Sequence, residues 1–318
     1  MKNIYFLFAT FFCFSCVALS PINQRIYKKD LKKFIYSSIK KSDLRESIAV
    51  KVVSLDDGET LFEHNSKKLM TPASNVKLLT SAASLHYLGG EHVFETTILK
   101  NKENIILVGG ADPELSLQVI DSLAGLVSKD LRLIDTLFID GGLFDDYYYG
   151  KGWMWDEGSD EYSAPISALV LNNNCINFEY SPNEIGLPAK INISPETEYV
   201  TLENKSITVK DTVNFKKLRI DRNWVDRSND YLITGEILQW SEKDTVKKNI
   251  EKPNLFFGTV FKELLKSHGL TVNELFIGNT IGPKDTILIH RSKPLYDQLE
   301  EMMHDSRNLT SELLLKYM

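Results

Sequence analysis

The sequence predicts an α+β fold, and three observations predict it. A β-branched run, Ile48-Ala-Val-Lys-Val-Val-Ser-Leu55, meets an Asp57-Gly58 turn signal and a returning run, Thr60-Leu-Phe-Glu63, which together spell an antiparallel hairpin. Directly after it, Leu69 to Gly90 is small or apolar, with Lys77 as its single charged residue. Pro72 suits the first turn of a helix there, and Gly89-Gly90 suits its end. From Ile176 to roughly Ile250 the chain consists of short β-branched runs broken by Pro182, Gly186, Pro188 and Pro195, whereas the stretch after Pro294 has helical spacing. Strands and helices are thus partly segregated rather than strictly alternating.

Length and composition set the outer bounds. The 318 residues are enough for two or three domains. With 43% hydrophobic and 25% charged residues the composition is that of an ordinary globular protein. A net charge of −6 gives no reason to expect nucleic-acid binding. At the N-terminus, Lys2 followed by an apolar run from Ile4 to Val17 reads as a secretory signal over residues 1–20. Cleavage is expected near Ala18 or Ser20, with Pro21 arguing against the latter bond. The run is short for a membrane span; a retained anchor is the other reading, and no span is expected once the signal is removed. Cys13 rather than Leu stands three before Cys16, against a lipoprotein. Cys13 and Cys16 leave with the signal, so Cys175 stands alone as a buried small residue without a disulfide partner.

The elements follow in order. Pro21 to Lys41 is basic and amphipathic, with Ile26, Leu31, Phe34, Ile35 and Ile39 on one helical face and lysines outside. Phe94 to Leu99 and Asn104 to Val108 read as strands. Gly109-Gly-Ala-Asp-Pro-Glu-Leu115 is a tight turn into a helix that runs to Val127, with Asp112 or Ser116 as its cap. Ile134 to Ile139 is a strand ended by Asp140-Gly-Gly142. Lys151 to Leu169 is loop-like and holds two tryptophans, four acids and Tyr162; such a segment either caps a core or binds a cationic group. Trp224 and Trp240 are expected in the core. Asn254 to Gly269 is a helix, Thr271 to Ile277 and Thr286 to His290 are strands, and Pro294 opens a helix behind a Ser292 cap. That helix breaks at Asp305-Ser-Arg-Asn308, and another begins near Thr310.

Two pieces carry chemistry. Ser74 and Lys77 are three apart and share one helical face. A serine hydroxyl is a weak nucleophile until a base takes its proton, and a lysine serves as that base when burial lowers its pKa. Ser-x-x-Lys also occurs at Ser37/Lys40 and Ser38/Lys41, so the apolar helix around Ser74 is what singles it out. The second piece is Ser306-Arg-Asn308 between two helices, which places a hydroxyl and an amide together. Ser306 suits proton relay to a leaving amine; Asn308 suits holding Lys77 and a substrate amide. Ser181-Pro-Asn183 has the same spacing, so position at a helix junction again decides. No His-x-x-x-His pattern is present, and no metal or cofactor is expected.

In order, Pro72-Ala-Ser-Asn-Val-Lys77, Gly109-Gly-Ala-Asp-Pro-Glu-Leu-Ser116, Gly152-Trp-Met-Trp155, Tyr162-Ser-Ala-Pro-Ile-Ser-Ala-Leu169 and Ser306-Arg-Asn-Leu309 resemble the class C low-molecular-mass penicillin-binding proteins. These form the D-alanyl-D-alanine carboxypeptidase/endopeptidase family, and the resemblance runs from about residue 30 to the end. It implies a β-lactamase/transpeptidase-like domain, incomplete at its C-terminus, interrupted by two inserted domains of which the second is β-rich. The implied bounds are 21–92 and 286–318 for the transpeptidase-like part, 93–175 and 254–285 for the first insertion, and 176–253 for the second. It implies Ser74 as acylated nucleophile, Lys77 as its base, and Ser306 and Asn308 completing the catalytic set. It also implies Glu157 and Tyr162 as holders of the amino end of a diaminopimelate side chain, with Asp156 as a rival to Glu157. Implied partners are peptidoglycan stem peptides and β-lactams, in the periplasm.

One departure stands out. The family carries Lys-Thr-Gly on a strand after Ser-x-Asn, supplying part of the oxyanion hole and a cation for the substrate carboxylate. No Lys-Thr-Gly occurs here. The sequence is therefore expected to be a piece of a longer serine D,D-carboxypeptidase/endopeptidase, with impaired activity. The competing readings are a non-catalytic protein that binds peptidoglycan or a partner, and a β-lactamase, against which the large insertions argue.

Overall fold

A computed structural model describes residues 21–318 except 43, 45–46, 155 and 212–214. The expected signal segment, with Cys13 and Cys16, lies outside the described residues, as does Trp155. The chain divides into two compact units, one ending at Ala73 and one running from Ser74 to Met318.

The first unit is a helix, α1 (Pro21–Lys41), with a hairpin of β1 (Val50–Val53) and β2 (Thr60–His64). Leu31, Ile35 and Ile39, four apart, turn inward, while Lys29, Lys32, Lys33, Lys40 and Lys41 are exposed. Phe34 departs from the expected face and is exposed. The hairpin pairs Val50 with His64 and Val52 with Phe62. Gly58 supplies the positive φ its turn needs, at +74°.

The second unit begins with α2 (Val76–Tyr87), preceded by a single 3-10 turn, Ala73–Asn75. Pro72 therefore lies before the helix rather than in its first turn, because Ala73 takes a left-handed φ of 45° that a continuous helix cannot contain. β3 (Glu95–Asn101), β4 (Asn104–Val108), α3 (Leu117–Val127) and β5 (Leu133–Asp140) follow. Ser116 is the cap of α3: its Oγ accepts from Val119 N at 3.3 Å. The β-rich stretch contains β6 (Cys175–Ser181), β7 (Lys190–Ser194), β8 (Thr201–Asn204), β9 (Ile207–Val209), β10 (Arg219–Arg222), β11 (Asp230–Thr234), β12 (Glu236–Leu238) and β13 (Asp244–Asn249). The chain closes with α4 (Pro253–Ser267), β14 (Thr271–Ile277), β15 (Asp285–Arg291), α5 (Leu295–Asp305) and α6 (Asn308–Tyr317).

A five-stranded mixed sheet, ordered β14-β5-β4-β3-β15, is the backbone of this unit. α3 and α4 pack together and α4 covers β5 and β14. Ile105, Leu107, Leu137 and Ile139 from the strands and Ile120, Phe257 and Phe261 from the helices are 0–1% exposed in one core. Each such side chain contributes roughly 1.5–3 kcal/mol by leaving water. β15 pairs antiparallel with β3, Arg291 opposite Glu95. It thus completes this sheet, although the sequence reading placed residues 286–291 with the transpeptidase-like part.

A second core carries the site. Phe94, Ala111, Ile166, Val170 and Cys175 meet Leu295, Leu299, Met302, Leu309 and Leu313 of α5 and α6. It locks the Gly109–Leu115 turn, the 162–170 loop and the last two helices together. The two glycines of that turn are required by close approach: a Cβ on Gly110 would stand 1.9 Å from Glu95 O, and one on Gly109 2.7 Å from the Ala168 carbonyl. Ser292 does not cap α5; its Oγ accepts from Phe94 N at 2.9 Å and donates to Lys293 O, so it joins two loops instead. Trp240 is 75% exposed and is not a core residue.

Candidate active site

α2 turns its polar side inward. Lys77, Thr80 and Ser84 are buried, while Val76, Leu78 and Leu79 are exposed, the reverse of an ordinary amphipathic helix. α5 and α6 pack against α2, and the buried polar groups find partners within α2 and on α6. Ser84 Oγ donates to Thr80 O, and Ser311 Oγ to Thr80 Oγ1 at 3.4 Å. Lys77 is only 6% exposed.

The Lys77 amine is the hub of three side chains. Its Nζ lies 3.2 Å from Ser74 Oγ, 3.5 Å from Ser306 Oγ and 2.6 Å from Asn308 Oδ1. Ser306 Oγ donates to Ser74 Oγ at 2.8 Å. Asn308 Nδ2 donates to the Tyr162 carbonyl at 3.0 Å, so α6 is tied to the 162–170 loop at the site. Residues 229 and 231 positions downstream of Lys77 are thereby brought onto it. Burial disfavours the charged form of Lys77 and holds its pKa below the usual 10.5, against an opposing pull from the Glu312 carboxylate. A buried lysine with a depressed pKa beside a hydroxyl is equipped to take that hydroxyl's proton.

The backbone is strained on both sides of this cluster. Ala73 and Ser306 take positive φ values of 45° and 58°. For residues with a Cβ this costs roughly 1–2 kcal/mol each, and such outliers concentrate where structure holds reactive groups in place. The two decoy patterns are elsewhere: Ser37 Oγ donates to Phe34 O on α1, and Asn183 Nδ2 donates to Pro188 O.

Beside the cluster is a groove of about 400 Å³ lined by Tyr162, Glu161, Asn173, Lys247, Ser306 and Asn308. Tyr162 contributes both its exposed ring and the carbonyl that Asn308 binds. Glu157 lines a separate cavity of about 250 Å³ with Tyr149, Trp153, Arg222, Trp224 and Glu251. Tyr162 spans the gap, its hydroxyl donating to the Glu157 carbonyl at 3.1 Å. Asp156 is exposed and lines neither cavity. Trp224, expected in the core, is half-buried in the Glu157 cavity.

Sequence reasoning missed several residues around the groove. Glu161 Oε1 accepts from Lys247 Nζ at 2.8 Å and from Asn173 Nδ2 at 3.0 Å. Asn172, Asn173 and Asn174 all have positive φ, which the three consecutive asparagines could have signalled, since Asn tolerates that region. Lys247 sits in β13 with no signal at all. Arg307, read only as the spacer in Ser-x-Asn, pairs with Glu114, Glu301 and Asp305. Among the described residues no group of three or more His, Cys, Asp and Glu side chains is arranged to hold a metal, and no helix is long and apolar enough to cross a membrane.

A family model described as the D-Ala-D-Ala carboxypeptidase 3 (S13) family matches residues 31–318. The chain belongs to that family. Two relatives are a D-alanyl-D-alanine carboxypeptidase of Actinomadura sp. and the D-alanyl-D-alanine carboxypeptidase DacB of Haemophilus influenzae. The first is 30% identical over 289 residues, covering 84% of this chain and 53% of that protein. The second is 23% identical over 279 residues, covering 83% and 57%. The crystal structure of penicillin binding protein 4 (dacB) from Haemophilus influenzae superposes with a TM-score of 0.71 at 22% identity, over 84% of this chain and 61% of that one. The structure of the same protein complexed with a β-lactam gives 0.63 at 20% identity, over 83% and 59%. The fold is therefore the α+β transpeptidase-like fold with inserted domains. The chain spans about half the length of the curated relatives it matches.

Proposed function

We propose that this chain carries the acylation machinery of a serine D,D-carboxypeptidase/endopeptidase acting on peptidoglycan stem peptides. The observation that carries the reading is Lys77: one buried amine, with its pKa lowered by burial, in contact with Ser74, Ser306 and Asn308 at once. Neutral Lys77 takes the Ser74 Oγ proton as Oγ attacks the carbonyl carbon of the penultimate D-alanine. The C–N bond to the last residue then breaks. Ser306, hydrogen-bonded to Ser74 Oγ and within 3.5 Å of Lys77 Nζ, passes a proton to the departing amine. Water afterwards hydrolyses the Ser74 ester. Asn308 fixes Lys77 through Oδ1 and lies beside the groove where the peptide backbone would run.

Substrate selection is proposed on either side of Tyr162. Its ring offers a surface for the stem peptide, and the Glu157 cavity, where Glu157 and Glu251 stand among Tyr149, Trp153 and Trp224 with Arg222 and Arg227 also in the wall, receives the cationic end of a long side chain at the Glu157 carboxylate. Asp156 stands next to that cavity in sequence and is the weaker candidate. Residues 21–92 with the closing helices α5 and α6 are proposed as the transpeptidase-like part, 93–175 with 254–291 as the first insertion and 176–253 as the second. β-Lactams are proposed as acylating inhibitors and the periplasm as the location, because the substrate lies outside the cytoplasm.

The test is covalent labelling by a fluorescent penicillin together with D-alanine release from a stem pentapeptide. Label on the chain that vanishes in Ser74→Ala, with the melting temperature unchanged, is the expected result. Labelling that persists in Ser74→Ala, or stem-peptide binding without any Ser74-dependent acyl adduct, would replace the enzyme reading with a binding role.

A further inference from the structure

The Gly109–Leu115 turn is one of the sequence motifs that the proposed chemistry leaves unused, and it meets the active-site loop through a single ion cluster. Arg307 stands between Ser306 and Asn308, which both contact Lys77. Its guanidinium Nη1 donates to Glu114 Oε1 at 2.5 Å and lies 2.9 Å from Glu301 Oε2, and Nη2 donates to Asp305 Oδ2 at 3.0 Å. Glu301 and Asp305 belong to α5, the helix that ends in this loop, so they travel with it. Glu114 comes from 193 residues earlier and from a different element.

That other element is rigid. Gly110 abuts Glu95 O too closely for any Cβ. Ala111 N donates to Ala168 O at 2.8 Å, and Asp112 Oδ1 accepts from Glu114 N at 2.9 Å. Asp112 itself is 1% exposed. Glu114 thus extends from a fixed turn, mostly shielded from water, onto a loop whose own backbone is strained: Ser306 has φ 58° and is held by Arg307 N donating to Met302 O at 3.0 Å. Without an external anchor, the left-handed residue has an incentive to relax, and Ser306 and Asn308 would leave Lys77 with it.

We propose that Glu114 is a positioning residue for the Ser74 acylation centre, acting through Arg307 to hold Ser306 and Asn308 against Lys77. It touches none of the reacting groups. The inference rests on the acylation reading above. Two features favour an ion-pair clamp over simple packing. The cluster is nearly balanced, Glu114, Glu301 and Asp305 facing Arg307 and Lys293, with Lys293 Nζ 3.5 Å from Glu114 and 2.9 Å from Glu301. Burial, and then the neighbouring Glu301 carboxylate, push the Glu114 pKa up, while Arg307 and Lys293 oppose this.

The test compares the parent chain with Glu114→Gln, Arg307→Gln and the double variant. Three quantities are read: amide hydrogen exchange across α4 and residues 303–309, melting temperature, and fluorescent-penicillin acylation split into its reversible and covalent steps. Glu114→Gln is expected to speed exchange at residues 306–308 about tenfold while α4 stays at the parent rate. It is expected to slow the covalent step about tenfold and leave reversible binding within about twofold. The double variant is expected to be no slower than Arg307→Gln alone, since both remove one interaction. Unchanged exchange at the loop, losses that add in the double variant, or exchange that rises equally in α4 and the loop would each overturn the proposal. If the parent itself forms no Ser74 adduct, the acylation reading fails, and the exchange pattern alone still decides whether Glu114 anchors the loop.

Discussion

Asn308→Ala removes two bonds that the site depends on: the 2.6 Å contact from Lys77 Nζ to Oδ1 and the 3.0 Å donation from Nδ2 to Tyr162 O. A hydrogen bond between neutral groups is worth about 0.5–1.5 kcal/mol net and one to a charged group about 1.5–3. Together the two amount to roughly 2–4.5 kcal/mol. If that stabilisation is fully present when Ser74 is acylated, the covalent step slows by roughly 30- to 2,000-fold, at 1.36 kcal/mol per factor of ten. The direction of the pH dependence follows as well. Asn308 Oδ1 accepts from the lysine and supports its ammonium form, so its removal leaves burial less opposed and moves the rising limb of the acylation profile to lower pH. The assay is the rate of fluorescent-penicillin labelling from pH 6 to 10, beside thermal melting. A loss below about threefold, or a slower reaction whose rising limb moves to higher pH, would refute the assignment of Asn308 as the partner that holds Lys77.

Other expectations follow from the same geometry. In the parent chain, labelling should rise with pH and level off below 10.5, because burial favours the neutral lysine; since the unfolded chain holds that proton up to a higher pH than the folded one, Lys77 also makes folding stability increase with pH across the same window. Gly110→Ala places a Cβ 1.9 Å from Glu95 O and should lower stability by about 1–3 kcal/mol, read as a drop in melting temperature, or prevent folding. Cys175 is fully buried, and burial pushes its thiol pKa up, so iodoacetamide should modify it only after denaturant unfolds the chain; rapid native alkylation would contradict its place beside Ile166 and Val170 in the second core.

Much of the architecture was legible locally. The Asp57-Gly58 hairpin, the Ser116 cap, the β-rich middle and the helix break at Asp305–Asn308 all rest on short-range preferences: positive φ at glycine, a hydroxyl accepting from a backbone amide two or three residues on, β-branching in strands. Local signals failed where a distant partner changed the outcome. Ser292 looked like a helix cap, yet Phe94 N, 198 residues away, takes its oxygen. Residues 286–291 looked like the return to the first domain, yet β15 finds its partner in β3. The stretch around Ser74 reads as an apolar helix with one charge, yet Leu78 and Leu79 are exposed and Lys77 is on the buried face, because α5 and α6 pack against α2.

What the sequence by itself determined is the inventory of reactive groups and their local frame: a serine and a lysine one helical turn apart, and a hydroxyl and an amide flanking one residue at a helix junction. Those relations are set by chain spacing, which covalent geometry enforces whatever else happens. What only the tertiary structure decided is that the two pairs meet, that Lys77 is out of water, and that Glu114 lies against Arg307. Each of these joins segments roughly two hundred residues or more apart, and no local rule carries that information. It is supplied by the shared core of Phe94, Ile166, Leu299 and Leu309, whose packing brings the turn, the loop and the last two helices to one place.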